Sequence, residues 1–364
     1  MIFKDKLNYF ILLYCTILIT AQEVFSISVL LPISIVIILL YSRIKIEKKT
    51  ILFLAFLYSL HILMFIPLLY QNFYSIDYLQ YRRLFIGIIF SFAFLHILTS
   101  NLIETKKILL YALIFQLILF YIQYFSYYAI GFNLNITEII FDKASNNILG
   151  INNNTYYRAS ALTLEPGTYA NYLFLTYITC KILEMDNKPI TILTTLSLIM
   201  TFSVFGFLFS LAIVFNEFLK SNKKVFYLIF LVLIAFYLIY HLKIDDYLFS
   251  RFIQRQDGSL NIKIIAIEHY INSDIITKLM GSGLGNTNGL LIRDSTLLFN
   301  YIYTSGLIGL IIIIIILGLT KKKHLLLILT LFISKIDYTY VLYWLFLVSV
   351  VAQYFQSHKQ YAIK

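Results

Sequence analysis

Arg158, Arg251, Arg255 and Arg293 fall in two hydrophilic stretches of an otherwise apolar chain of 364 residues. A guanidinium presents a planar fork of N–H donors that fits two oxygens of a diphosphate at once, and it also hydrogen-bonds sugar hydroxyls. Arg251 and Arg255 are four positions apart, so on a helix both forks leave from one face. The same stretches hold groups able to take up or deliver a proton: Glu165, Glu268, His269 and Asp294. His269 joins them because imidazole titrates near neutrality. Each residue also has an ordinary use. An exposed arginine contacts anionic lipid or pairs with an acid, here Asp245, Asp246, Asp257 or Asp294, and a histidine beside a glutamate on a helix is commonly a surface residue. The balance turns on whether the four arginines share one side of the molecule, which is a question of topology.

Two short patterns frame these residues. Tyr157–Tyr169 runs from an Asn-rich loop into an apolar run, and Pro166, lacking an N–H, suits the first position of a helix. Glu165 then falls at the N-cap, where the helix dipole favours a negative charge. That explains Glu165-Pro166-Gly167 structurally, and it also sets Arg158 and Glu165 at a water boundary beside anything carried in a bilayer. Gly281-Ser282-Gly283-Leu284-Gly285-Asn286 has neither the preceding strand nor the following Lys-Ser/Thr of a nucleotide loop. It reads as a tight turn that lets backbone approach a helix or a ligand. No metal-ligand spacing and no glycosidase-like carboxylate pair is identifiable. His61 and His96, inside apolar runs, read as satisfied by neighbouring helices.

The elements that must position these groups are membrane spans. The chain is 60% hydrophobic and only 13% charged, against roughly 25% charged in soluble domains, which excludes an ordinary soluble enzyme. Its net charge of +11 lies in short clusters between apolar runs, the pattern of topology determinants rather than of a nucleic-acid surface, so no nucleic-acid partner is expected. Cys15 and Cys180 both lie in apolar runs and support no disulfide. The first 21 residues, with a poor cleavage site and another apolar run directly after, read as an uncleaved span. Apolar runs occupy about 8–21, 24–42, 51–70, 84–99, 108–130, 168–185, 190–219, 225–242, 299–319, 324–334 and 341–356.

Positive charge decides how to count them. If 190–219 splits near Ser203–Gly206, the clusters at Lys106/Lys107, Lys181/Lys188, Lys220/Lys223/Lys224 and Lys321/Lys322/Lys323 all fall on the side of both termini. If it does not split, there are eleven spans and the last two clusters face the other way, against the positive-inside rule. The expectation is therefore an all-α polytopic integral membrane protein, a single membrane domain over 1–364, with twelve spans and both termini cytoplasmic. Two long loops, 131–167 and 243–298, then emerge on the same outer face and carry all four arginines. The first, rich in asparagine, reads as turns and coil. The second is expected to contain an amphipathic helix over Ile262–Tyr270.

Taken in order, three features resemble the O-antigen polymerase (Wzy) family, within a superfamily that includes the O-antigen ligases. They are Arg158 followed by Glu165-Pro166-Gly167 at the head of a span, the Gly281–Asn286 turn late in the second loop, and Asp294 followed by Gly306-Leu307-Ile308-Gly309 where the chain returns to the membrane. They cover about 155–310. Ligases carry a His-Asn pair where this chain has Asp294-Ser295, a departure that favours the polymerase. The resemblance implies transfer of a growing glycan from undecaprenyl diphosphate to the next lipid-linked repeat unit, at the outer face of a bacterial inner membrane. It implies no cofactor, and a chain-length regulator protein as partner besides membrane lipid. For that reaction Arg251 and Arg255 are expected to bind the donor diphosphate and Arg158 to orient diphosphate or sugar, with Arg293 a further substrate-binding candidate, while Glu165, or else His269 or Asp294, assists the acceptor hydroxyl. A ligase, or a flippase for the lipid-linked unit, is the alternative. Few acids within the spans and no duplicated halves argue against a transporter.

Overall fold

The computed structural model describes residues 47–63, 66, 78–100, 102–151, 154–220, 264–265, 267–268, 270–284 and 295–362. The expected spans 8–21, 24–42 and 225–242, like Arg251, Arg255, His269, Arg293 and Asp294, lie outside the described residues. In chain order the helices are α1 (Lys48–Ile62), α2 (Tyr78–Ser100), α3 (Leu102–Ile130) and α4 (Ile136–Phe141), then α5 (Pro166–Ile182), α6 (Lys188–Met200) and α7 (Val204–Lys220). After these come α8 (Ile275–Met280), α9 (Leu297–Leu319), α10 (Leu325–Ile333) and α11 (Val341–Ala362). Among the described residues, the helical stretches Gln80–Thr99, Leu102–Ile130 and Leu297–Leu319 are long and apolar enough to cross a membrane. The protein is a helical membrane protein.

α11 forms the middle of the bundle. From Val341 to Val348 every side chain is buried, which is the signature of a helix surrounded on all sides. α2, α5, α9 and α1 pack around it.

The long apolar run 190–219 is two helices. α6 and α7 break at Thr201–Ser203, where Phe202 takes a positive φ of 48°. Ser203 Oγ accepts from Gly206 N at 2.9 Å and so satisfies one of the unpaired donors at the start of α7. The two helices pack against each other as a hairpin, in keeping with the split that the charge pattern required.

The loop 131–167 departs from the turns and coil expected of it. Asn135 caps α4 through its side-chain oxygen, which accepts from Glu138 N and from the hydroxyls of Thr137 and Ser145. Ile148–Ile151 and Asn154–Tyr157 then form a short antiparallel hairpin, β1–β2. In the second loop, the described positions between 264 and 271 are helical, as the amphipathic pattern predicts.

One end of the bundle is tied by lysines. Lys181 meets Asp186 at 2.7 Å and Glu217 at 3.5 Å, Lys220 meets Glu217 at 3.7 Å, and Glu184 bridges Lys321 (2.9 Å) and Lys323 (3.2 Å). The connections that follow α5, α7 and α9 thus share one end. The lysine clusters assigned to one side from charge alone meet there. Hydrogen bonding from Lys321, with a second from Lys323, holds the Glu184 carboxyl down to about 2 from its ordinary 4.5.

Candidate functional site

The opposite end holds Arg158 and Glu165. β2 ends at Tyr157, and the chain is then strapped to α3: Ser160 N and Ala161 N both donate to Gln123 Oε1, at 3.0 and 2.7 Å. Arg158 N donates to Asn147 C=O at 2.7 Å, and Ser160 Oγ donates to Asn147 Oδ1 at 2.8 Å. Arg158 therefore leaves a fixed backbone and is half-buried. Glu165 is the N-cap residue of α5, with Pro166 opening the helix, and its side chain makes no capping hydrogen bond. It is exposed, leaving the carboxylate oxygens open to a partner in solution.

Two turns into α5, Asn171 and Tyr172 reach the feature that sequence reasoning passed over. α10 has only nine residues, and the connection after it, Ser334–Tyr340, is folded into the protein. Leu297 N donates to Ser334 C=O at 2.7 Å, and Lys335 N donates to Asn171 Oδ1 at 3.1 Å. Asp337, 7% exposed, accepts from Thr339 N at 2.8 Å and so closes a turn through its own side chain. Thr339 Oγ1 donates to Gln80 Oε1 of α2 at 3.2 Å. Tyr340 lies edge-on to Tyr172 at 5.8 Å, and on its other side the Arg83 guanidinium stands 5.9 Å from the ring centroid. Arg83 Nη1 is buried with no hydrogen-bond partner among the described residues.

The glycine turn of the second loop arrives at the same place. Ser282, Gly283 and Leu284 are buried, and Leu284 N donates to Tyr81 OH at 3.1 Å, near the start of α2. The turn works as expected, as a close approach of backbone to a helix. A Cβ on Gly281 would strike the Thr304 carbonyl of α9, and one on Gly306 would strike the Leu279 carbonyl. Gly281 and Gly306 both have positive φ, 83° and 55°.

The structure thus gathers at one end the Arg158–Glu165 stretch, the start of α2 with Gln80 and Arg83, the 281–284 turn and the 334–340 connection. Glu268 is exposed in the helical part of the second loop. His61 is set deeper and held on both sides: Nδ1 donates to Leu57 C=O at 2.7 Å, and Nε2 is 3.0 Å from Tyr301 OH, which is 2.6 Å from Tyr343 OH. It is a satisfied core histidine, as its setting in an apolar run predicts. Among the described residues no group of three His, Cys, Asp or Glu side chains is placed to hold a metal.

Arg83, Lys335 and Asp337 had a signal in the sequence. Arg82-Arg83 opens the run 84–99 on the side where the charge rule expects few basic residues, and Lys335 and Asp337 are two ionisable residues in a connection only a few positions long. No family model, curated protein or solved structure matches this chain. The arrangement itself offers an anion half-buried guanidinium groups, Arg83 and Arg158, and an exposed carboxylate, Glu165, at the end of the bundle away from the lysine clusters.

Proposed function

We propose that this chain is an integral-membrane glycosyltransferase of the O-antigen polymerase kind, with twelve spans and both termini in the cytoplasm. The lysine-tied end then faces the cytoplasm and the Glu165 end faces outward. Its substrates are two undecaprenyl-diphosphate-linked oligosaccharides, and membrane lipid and a chain-length regulator are its partners. In the reaction, a hydroxyl of the acceptor repeat unit attacks the anomeric carbon of the donor glycan. The bond from that carbon to the diphosphate oxygen breaks, the hydroxyl proton passes to a carboxylate, and the diphosphate departs with the bonding electrons. The donor is already activated, so the step asks of the protein chiefly positive charge at the leaving group and a base at the acceptor. Arg83 joins Arg158, Arg251, Arg255 and Arg293 as the groups for the first task. Glu165 serves the second, with His269 and Asp294 as the other candidates.

The observation that carries this reading is the Arg83 guanidinium, with a buried nitrogen that has no hydrogen-bond partner among the described residues, at the same end of the bundle as Arg158 and the exposed Glu165 carboxylate, which makes no capping bond. A positive group held in that way suits a diphosphate delivered from the plane of the membrane. Loss of one such contact costs about 2.7–4 kcal/mol of transition-state stabilisation, a hundredfold or more in rate. The test is a gel of lipopolysaccharide from cells carrying Arg83→Ala, Arg158→Ala or Glu165→Gln at normal expression. Collapse of the ladder to a single-repeat band is expected, and full-length ladders from all three overturn the proposal. A deletion strain separates the rival activities: single-repeat product for a polymerase, polymer unattached to lipid A core for a ligase, and no delivered unit for a flippase.

A further inference from the structure

We infer that residues 275–284 of the second loop form a re-entrant membrane element whose isoleucine-rich face is covered by lipid acyl chains. α9 is one of the three described helices able to cross a membrane, and it is broken within: Gly306 has φ 55° and ψ −131°, so the helical hydrogen bonds of the preceding turn are interrupted. A carbonyl freed at membrane depth must find a donor inside the protein. Here the donors come from the loop. Ser282 N donates to Tyr303 C=O at 2.8 Å, Gly283 N donates to Thr304 C=O at 3.0 Å, and Ser282 Oγ donates to Tyr303 C=O at 2.9 Å.

Depth follows from the helix. Gly306 is nine residues beyond Leu297, about 13 Å along the axis at 1.5 Å per residue, and the carbonyls of Lys278 and Leu279 lie against it. With a hydrocarbon core about 30 Å thick, that contact falls below the headgroups. α8 therefore descends from its cap at Asp274, whose side chain accepts from Thr277 N, to Met280 inside the bilayer. The side chains turned outward on this descent are Ile275, Ile276, Leu279 and Met280, from 40 to 74% exposed. They continue the outer surface of α9, where Leu307, Leu310, Ile311 and Ile314 are also exposed. Four adjacent apolar side chains facing water would be an unusual surface; at this depth they face hydrocarbon.

Fluorescence quenching tests this without reference to activity, so its outcome and that of the proposed reaction are separable. Full-length protein carrying Ile276→Trp or, separately, Ile275→Trp is reconstituted in phosphatidylcholine vesicles with plain or brominated acyl chains. Asn272→Trp, two residues before the cap, serves as the shallow control. The buried Trp344 is common to all and its emission is subtracted. Added emission from 275 and 276 quenched at least twofold by brominated chains, and clearly more than at 272, is the expected result. Equal quenching at the three positions, or emission at 275 and 276 quenched by aqueous iodide instead, overturns the inference.

Discussion

Arg83 carries a positive charge on a half-buried side chain that stands over the ring of Tyr340. That contact tolerates any cation, whereas a fork of donors aimed at a diphosphate does not. Arg83→Lys is therefore expected to keep the fold and the charge yet lose most of the activity, falling between wild type and Arg83→Ala, which drops a hundredfold or more. Rates of polymer formation on lipid-linked units, measured beside thermal unfolding of each variant, separate a lost contact from a lost fold. At this scale the sequence was readable where a residue announces its own backbone. Glu165 is an N-cap because Pro166 can stand only where no N–H is needed, and the structure has it there. Arg83, Lys335 and Asp337 were not read as a set because nothing in local sequence says that α2, α5 and the 334–340 connection meet; that meeting is made by packing around α11.

Helices reveal a similar divide. The break between α6 and α7 was legible, since Thr201, Ser203 and Gly206 interrupt an apolar run and the neighbouring lysines allow only an even number of crossings there. Ser203→Ala removes the acceptor for Gly206 N and is expected to cost about 1 kcal/mol, read as a lower unfolding temperature in detergent. The break inside α9 was not legible, because Thr304-Ser305-Gly306 lie within a stretch whose length and hydropathy read as one span, and the turn that docks on Gly306 comes from a distant loop. Gly306→Ala adds a Cβ both to a backbone conformation nearly reserved for glycine and against the Leu279 carbonyl. A loss of about 1–3 kcal/mol is expected, larger than that of Ser203→Ala and seen in the same measurement. The hairpin β1–β2 and helix α4 escaped because they are short pieces in an Asn-rich stretch whose asparagines look like coil until Asn135 is seen capping a helix.

For the molecule as a whole, charge was the best guide. Lysines assigned to one side from the order of runs are found tied together through Asp186, Glu184 and Glu217. The Glu184 bridge has a pH signature. Its carboxyl is lowered from 4.5 to about 2, so its stabilisation is fully present above pH 4.5 and is lost as pH falls from there towards 2. The difference in unfolding temperature between wild type and Glu184→Gln should therefore shrink across that window. The group is half-exposed, so molar salt should shrink the difference at neutral pH as well. The brevity of α10 reaches further. Its nine residues with the preceding turn Lys322–His324 cover about 19 Å, and the chain turns back at Ser334, whose carbonyl accepts from Leu297 N at the head of α9. Counted from the other side, Lys335 meets Asn171, six residues and about 9 Å along α5 from Glu165. A charged headgroup that descends from the outer face to Lys335 and Arg83 crosses part of the transmembrane voltage. With the cytoplasm negative, this opposes an anion by about 0.8 kcal/mol per charge for each 100 mV, a third of the full drop. In vesicles, collapsing an inside-negative potential should tighten the hold on an anionic lipid carrier severalfold, making the carrier's binding a gauge of how energised the membrane is.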